Sequence, residues 1–243
     1  MQTPAAMREL TFWNSVDVAT CMSIDAVIFD LDGVIIDTED EWNSVRHDFA
    51  VAHGGHWTRE IDQPKVMGAN SMEWAASMRE NNGVDLPVQQ IYDGIISALR
   101  ERYESHLPVI PGAPEAVARL ARRYRLGVAS SSPLELIESA LQLGGLRSHF
   151  GMVMSSDDVA KGKPAPDVYL EACSRLGTVP ARAAAVEDSS NGIKAAHSAG
   201  LAVVAIPHPA FPPSAEALGL AHVTLGSIVE LTEETIESLR RDG

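Results

Sequence analysis

The sequence predicts an α/β protein, with a parallel sheet core, helices on both faces, and an α-helical segment inserted after the first strand. Three observations carry this. From about residue 113 onward, short apolar runs alternate with helix-like segments, the pattern of strand–helix–strand units. Residues 38–107 hold helical patterning and no convincing buried strand. The apolar runs also end repeatedly in carboxylates or hydroxyls, as a parallel sheet does when it gathers its functional groups at the C-terminal ends of its strands. With 243 residues, 45% of them hydrophobic, the chain suffices for one large domain or a core plus a smaller one.

Residues 1–21 carry Arg8, Glu9 and Asp17, lack the apolar segment of a signal peptide, and read as an extension outside the core. The first strand lies in V-I-F-D-L-D-G-V-I-I-D, Val27 to Asp37. Two carboxylates spaced i, i+2 at the mouth of an apolar strand are costly unless something compensates them. The next segment contains Trp42, Phe49, Trp57 and Trp74, and turn signals at residues 53–55, 81–83 and 86–87 cut it into three or four helices. P-V-I-P-G, residues 108–112, reads as a return linker, followed by a helix over 113–122. A strand over 126–130 ends in hydroxyls. Ser132 and Pro133 then suit the N-cap and first position of a helix that stops near Gly144 and Gly145. A short strand over 152–154, a helix from Pro166 to about 175 and a strand over 183–186 follow. Ser189 or Ser190 caps the next helix, Gly200 closes it, and a strand over 202–206 precedes a final helix from about Glu233. The expected organisation is an extension over 1–21, a core from 22–36 and 109–243, and a helical cap over 37–108.

A formal net charge of −14 argues against a nucleic-acid or anionic-membrane surface, although a local site can still be cationic and take an anionic substrate. No run approaches the roughly 20 apolar residues of a transmembrane helix. Cys21 and Cys173 are far apart and form no C-x-x-C, so they read as reduced thiols of a cytoplasmic protein. Oligomeric state stays open between monomer and homodimer.

In chain order the strand ends deliver Asp30 with Asp32, then Ser130, then Glu187 with Asp188, while K-G-K-P-A-P-D adds Lys161 and Lys163. Such oxygen ligands suit a hard cation such as Mg²⁺, which keeps positions for water and phosphate oxygens. A lysine and a hydroxyl would hold the other oxygens of a phosphoryl group, and a carboxylate can serve as nucleophile or proton carrier. Competing templates fail. Counted from Asp30, an EF-hand loop would need glycine where Ile35 stands, and neither G-x-x-x-x-G-K-[ST] nor G-x-G-x-x-G occurs. His47, His53 and His56 match no metal-binding spacing and read as surface residues of the insert; Lys161 reads as a solvated loop lysine.

These residues resemble the haloacid dehalogenase superfamily, in the subgroup with a helical cap after the first strand. D-x-D-G-x-x-x-D-[ST]-E falls on Asp30, Asp32, Gly33, Asp37, Thr38 and Glu39. The hydroxyl motif falls on Ser130, K-P-x-P-D on Lys163 to Asp167, and E-D-S-x-x-G on Glu187, Asp188, Ser189 and Gly192. The resemblance implies a Rossmann-like core and the roles that follow. Asp30 would be nucleophile and Mg²⁺ ligand. Asp32 would protonate the leaving oxygen and then activate water, its carbonyl on the metal. Ser130, Ser131, Lys163 and Gly33 would surround the phosphoryl group. Asp188 would ligate Mg²⁺, and Glu187 would ligate or orient it.

The expected activity is a Mg²⁺-dependent phosphatase of a small phosphorylated metabolite, working through an aspartyl-phosphate, with Trp42, Lys65, Asn70 and Ser71 selecting the substrate. Asp37, Thr38 and the P-V-I-P-G return would flank the hinge of a closing cap. Among the alternatives is a sugar-phosphate mutase of the β-phosphoglucomutase type. Such enzymes carry a histidine and a cap-loop arginine where counting places Trp42 and Ser71. A phosphonate hydrolase would use a cap lysine, of which Lys65 is the only one, but lacks the second aspartate that Asp32 supplies. A non-catalytic binding relative would have lost a nucleophile or ligand, and none is lost here.

Overall fold

A computed structural model describes residues 23–66 and 70–239. The expectations for residues 1–22, including Cys21, lie outside the described residues.

The strands are β1 (Ala26–Phe29), β2 (Arg125–Ser130), β3 (Met152–Ser155), β4 (Ala183–Glu187), β5 (Ala202–Ala205) and β6 (Val223–Thr224). They form one six-stranded sheet in the order β3-β2-β1-β4-β5-β6, and every pairing is parallel. The chain winds outward from β1 in both directions, so a crevice opens where the winding reverses, at the C-terminal ends of β1 and β4. Among the described residues five helices lie between β1 and β2, four of them in the insert: α1 (Glu39–Ala52), α2 (Arg59–Val66), α3 (Ser71–Asn81) and α4 (Val88–Ser105). The later helices are α5 (Ala113–Leu120), α6 (Leu134–Leu143), α7 (Asp167–Leu176), α8 (Ser190–Ala199), α9 (Ala215–Leu218) and α10 (Glu233–Ser238).

All four residues of β1 are buried, which explains an apolar run without polar alternation. Its side chains alternate between two cores. Val27 and Phe29 join the cluster that includes Leu120, Ile137 and the insert's Trp42 and Trp74, whereas Ala26 and Ile28 join Tyr169, Cys173 and Ile193. Helices therefore cover both faces. In the insert, the edge-to-face pair Trp42–Trp74, with ring centroids 5.8 Å apart, is part of the packing between α1 and α3.

The insert leaves and rejoins the core through paired backbone. Asp37 N–H donates to the Pro108 carbonyl at 2.8 Å, Ile110 N–H to the Ile35 carbonyl at 2.9 Å, and Ile36 bridges antiparallel to Val109. Farther out, Ser71 N–H donates to Asp157 Oδ1 at 3.0 Å and its hydroxyl to Oδ2 at 2.5 Å, while Arg100 pairs with Glu135.

One expected detail differs. Pro133, not Ser132, occupies the N-cap of α6, and it makes no side-chain cap bond. The Ser132 hydroxyl is engaged elsewhere, donating to Asp32 at 2.7 Å. The elements β6 and α9 were not foreseen; two and four residues are too short to show periodicity. Among the described residues no helix is long and apolar enough to cross a membrane.

Candidate active site

Strand register assembles the site. Phe29 pairs with Val186 and with Val128, so the residues that follow β1 emerge between Glu187 on one side and Ala129–Ser130 on the other. Asp30 N–H continues the ladder to the Val186 carbonyl at 2.9 Å, which fixes the backbone beneath its carboxylate.

Lys163 reaches this point from the loop between β3 and α7. Its ammonium donates to Asp30 Oδ1 at 3.0 Å, to Glu187 Oε1 at 2.7 Å and to the Ala129 carbonyl at 3.0 Å. All three donors of the ammonium are thereby used. Glu187 is fully buried and also accepts from the Tyr169 hydroxyl at 2.6 Å and from Ser189 Oγ at 3.2 Å. Although burial opposes the charge, Asp30 and Glu187 hold the Lys163 ammonium above its ordinary pKa. Burial pushes Asp30 up to about 8 against the pull of Lys163, with Glu187 and Asp32 adding to the rise. Asp188 is likewise raised well above the carboxylate range by burial and then by Asp30 and Glu187.

Carboxylate oxygens of Asp30, Glu187 and Asp188 lie within 4.8 Å of one another. Three buried acids against one ammonium leave the site short of positive charge, and the donors are all hard oxygens. A divalent cation of the Mg²⁺ type fits that set. Two glycines make room for two of these carboxyl groups. A Cβ on Gly33, at φ +78°, would stand 2.1 Å from Asp188 Oδ2, and one on Gly192 would meet the Glu187 carboxyl at 1.9 Å.

Asp32 is held differently. Its Oδ1 accepts from the Thr38 hydroxyl, and Oδ2 accepts from Ser132 Oγ at 2.7 Å and Ser130 Oγ at 3.2 Å. Ser130 Oγ in turn accepts the Ser132 N–H at 3.0 Å. Hydroxyls from the insert's entry and from the end of β2 therefore converge on one carboxylate, next to the Asp30 cluster.

These groups line a cleft of about 390 Å³ between the sheet edge and the insert, within the range of small-ligand sites. Asp30, Asp32, Ser130, Ser131, Lys163 and Asp188 all border it, as does Trp42. Gly33 adjoins it through Asp188. The other three expected specificity residues stand elsewhere. Lys65 is exposed and pairs with Asp62 at 3.0 Å; Asn70 caps α3; Ser71 is tied to Asp157. Lys161 is exposed.

Sequence reasoning missed four bordering residues that matter: Arg46, Gln63, Ser132 and Phe211. Arg46 follows Trp42 by one helical turn, so the i, i+4 spacing on a shared face was a usable signal. Nothing local marks Gln63 or Phe211, whose placement depends on how the insert and the 207–213 loop fold over the sheet.

A family model for haloacid dehalogenase-like hydrolases matches residues 27–206. Hexitol phosphatase B of Escherichia coli (strain K12) is 31% identical over 223 residues, spanning 90% of this chain and 99% of that protein. A phosphorylated carbohydrates phosphatase of Thermotoga maritima is 29% identical over 179 residues, 73% of this chain and 82% of that one. Among solved structures, CbbY from Rhodobacter sphaeroides in complex with phosphate has a TM-score of 0.79 at 28% identity, covering 88% of this chain and 99% of that one.

Proposed function

The chain belongs to the haloacid dehalogenase-like hydrolases, and from that premise we propose that it is a Mg²⁺-dependent phosphatase acting on a small phosphorylated metabolite through an aspartyl-phosphate on Asp30. The observation that carries this reading is the buried cluster at the crevice, where Lys163 bridges Asp30 and Glu187 beside Asp188. The substrates named for the relatives, hexitol phosphates and phosphorylated carbohydrates, set the expected class.

Asp30 and Asp188 would hold the cation, with the Asp32 carbonyl. Glu187, whose two oxygens already accept from three side chains, orients Lys163 and supports the cluster from beneath. When bound, Mg²⁺ offsets the charge of the phosphoryl oxygens and of the nucleophile. The protein's own groups account for the rest. In the first step an Asp30 oxygen bonds to phosphorus as the ester oxygen leaves, and Asp32 gives that oxygen a proton. In the second step Asp32 takes a proton from water as the water oxygen bonds to phosphorus, and Asp30 leaves as carboxylate. Thr38, Ser130 and Ser132 fix the plane of Asp32, so its proton transfer costs little reorganisation. Lys163 stays cationic throughout and pulls Asp30 toward its ionised form against burial, an effect that a bound cation would add to.

Phosphate release from a generic aryl phosphate tests the reading. Wild-type protein turns it over with Mg²⁺, chelation abolishes turnover, and Asp30→Asn lowers kcat by at least about 10³-fold. Such losses are of the order expected for removing a catalytic nucleophile. Turnover undiminished by the substitution would remove the nucleophile assignment, and turnover undiminished by chelation would remove the metal.

A further inference from the structure

The insert's side of the cleft carries a second polar group, from α1 and α2. Gln63 on α2 accepts a hydrogen bond from Arg46 Nη1 at 3.1 Å and donates one to Glu39 Oε2 at 2.6 Å. A neutral amide thus spans a cation and an anion, and all three side chains border the cleft. Arg46 is only 5% exposed, makes no ion pair among the described residues, and its Nε has no hydrogen-bond partner. Its guanidinium lies 4.5 Å from the Trp42 ring centroid, 5.4 Å from that of Trp74 and 5.6 Å from that of Trp57, so aromatic faces fix its position. Burial lowers Arg46 to about 10, with Glu39 and Asp32 pulling the other way, and burial raises Glu39 against the Gln63 hydrogen bond. Both charges are incompletely compensated by the protein.

A ligand that serves both must donate and accept at once. A second anionic group would satisfy Arg46 but stand beside Glu39. Among the described residues the cleft's other cation, Lys163, has all its donors engaged already. A hydroxyl both donates and accepts, so vicinal hydroxyls can bridge the pair. Trp42 and Trp74 also border the cleft and make its wall beside Arg46 largely apolar. We propose that Arg46, Gln63 and Glu39 read the hydroxyls of an uncharged polyol or sugar leaving group, with Arg46 as the main specificity determinant. The inference rests on the phosphatase reading of the same cleft, and it excludes substrates that place a second phosphate or a carboxylate against Arg46 and Glu39.

A site that bonds substrate hydroxyls discriminates strongly, because an analogue lacking them leaves buried polar groups unpaired. The test uses the full chain with Mg²⁺ and follows phosphate release from sorbitol 6-phosphate, fructose 1,6-bisphosphate, phosphoglycolate and p-nitrophenyl phosphate. Wild-type kcat/KM should favour sorbitol 6-phosphate over the bisphosphate and phosphoglycolate by at least about tenfold. In Arg46→Met, the ratio of kcat/KM for sorbitol 6-phosphate to that for the aryl phosphate should fall at least about tenfold, mainly through KM. Glu39→Gln should raise the bisphosphate's kcat/KM relative to sorbitol 6-phosphate, and Arg46→Lys serves if the methionine variant does not fold. Unchanged ratios in the Arg46 and Glu39 variants, or a wild-type preference for the bisphosphate or phosphoglycolate, overturn the inference while leaving the phosphatase reading intact. No turnover of any of the four overturns both.

Discussion

Lys163 stands at the centre of the charge balance of the site. It is 6% exposed and spends its three donors on Asp30, Glu187 and the Ala129 carbonyl. Replacing it by methionine leaves two buried carboxylates without their counter-charge, a change that typically costs about 3–5 kcal/mol. Lys163→Met should therefore lower the urea midpoint markedly and reduce kcat at least about 100-fold. A variant with wild-type stability would mean that Asp30 and Glu187 are compensated by other groups. At this scale the sequence was informative wherever a residue's role is carried by its neighbours along the chain. Asp30, Asp32, Glu187 and Asp188 could be read because a carboxylate at the end of an apolar strand is anomalous without a purpose. Ser132 was assigned to capping, because its contact with Asp32 spans a hundred positions and no local pattern reports it. Asn70 and Ser71 were candidates for binding and instead serve the start of α3, one capping it and the other tying it to Asp157.

Between elements, the tightest fit is where β4 hands over to α8. Ser189 caps α8 by accepting the Gly192 N–H at 3.0 Å, and the absent Cβ of Gly192 leaves the Glu187 carboxyl its place. A methyl group there would overlap the carboxyl and push it off Lys163 and Tyr169. Gly192→Ala should destabilise the fold by about 1–3 kcal/mol, the usual cost of overpacking, and lower kcat as well. Chemical denaturation and steady-state kinetics would check both effects; an alanine variant equal to wild type in each would contradict the contact. On the same face, next to α8, α7 buries Cys173 against the sheet, and burial pushes its thiol from 9.0 up to about 11. The thiolate fraction at pH 8 is then about 100-fold lower than for an unperturbed thiol. Site-resolved mass spectrometry should find Cys173 unalkylated in folded protein at pH 8 and alkylated in urea. Rapid labelling of folded protein would show that α7 opens. Most of these elements were legible because strands of four to six apolar residues and caps such as Ser189 and Gly200 leave local marks. The exact start of α6 was not, since its expected capping hydroxyl is drawn into the site.

Over the whole molecule, the reversal of winding at β1 creates the crevice, and the insert between β1 and β2 roofs it. Paired backbone at Ile36–Val109 and Asp37–Pro108 joins the two, and the contacts of Ser71 with Asp157 and of Arg100 with Glu135 hold them together at the far side. The arrangement would let an acidic protein, with a formal net charge of −14, take the proposed anionic substrate. On the proposed reading Lys163 and a divalent cation would concentrate positive charge at one point, and Arg46 with Glu39 and Gln63 leaves the insert's side of the cleft close to neutral. A parallel sheet covered on both faces followed from alternation along the chain, but the strand order and the composition of the roof did not, because they depend on contacts between segments that share no local pattern. The central claim is that Asp30 carries the phosphoryl group between the ester and water, and it is tested most directly by the stereochemistry at phosphorus. Hydrolysis of a phosphorothioate ester made chiral at phosphorus with two oxygen isotopes, run in water of the third, should proceed with net retention, since two in-line displacements each invert the centre. Net inversion would mean that water attacks the ester in a single step and that Asp30 is not the nucleophile.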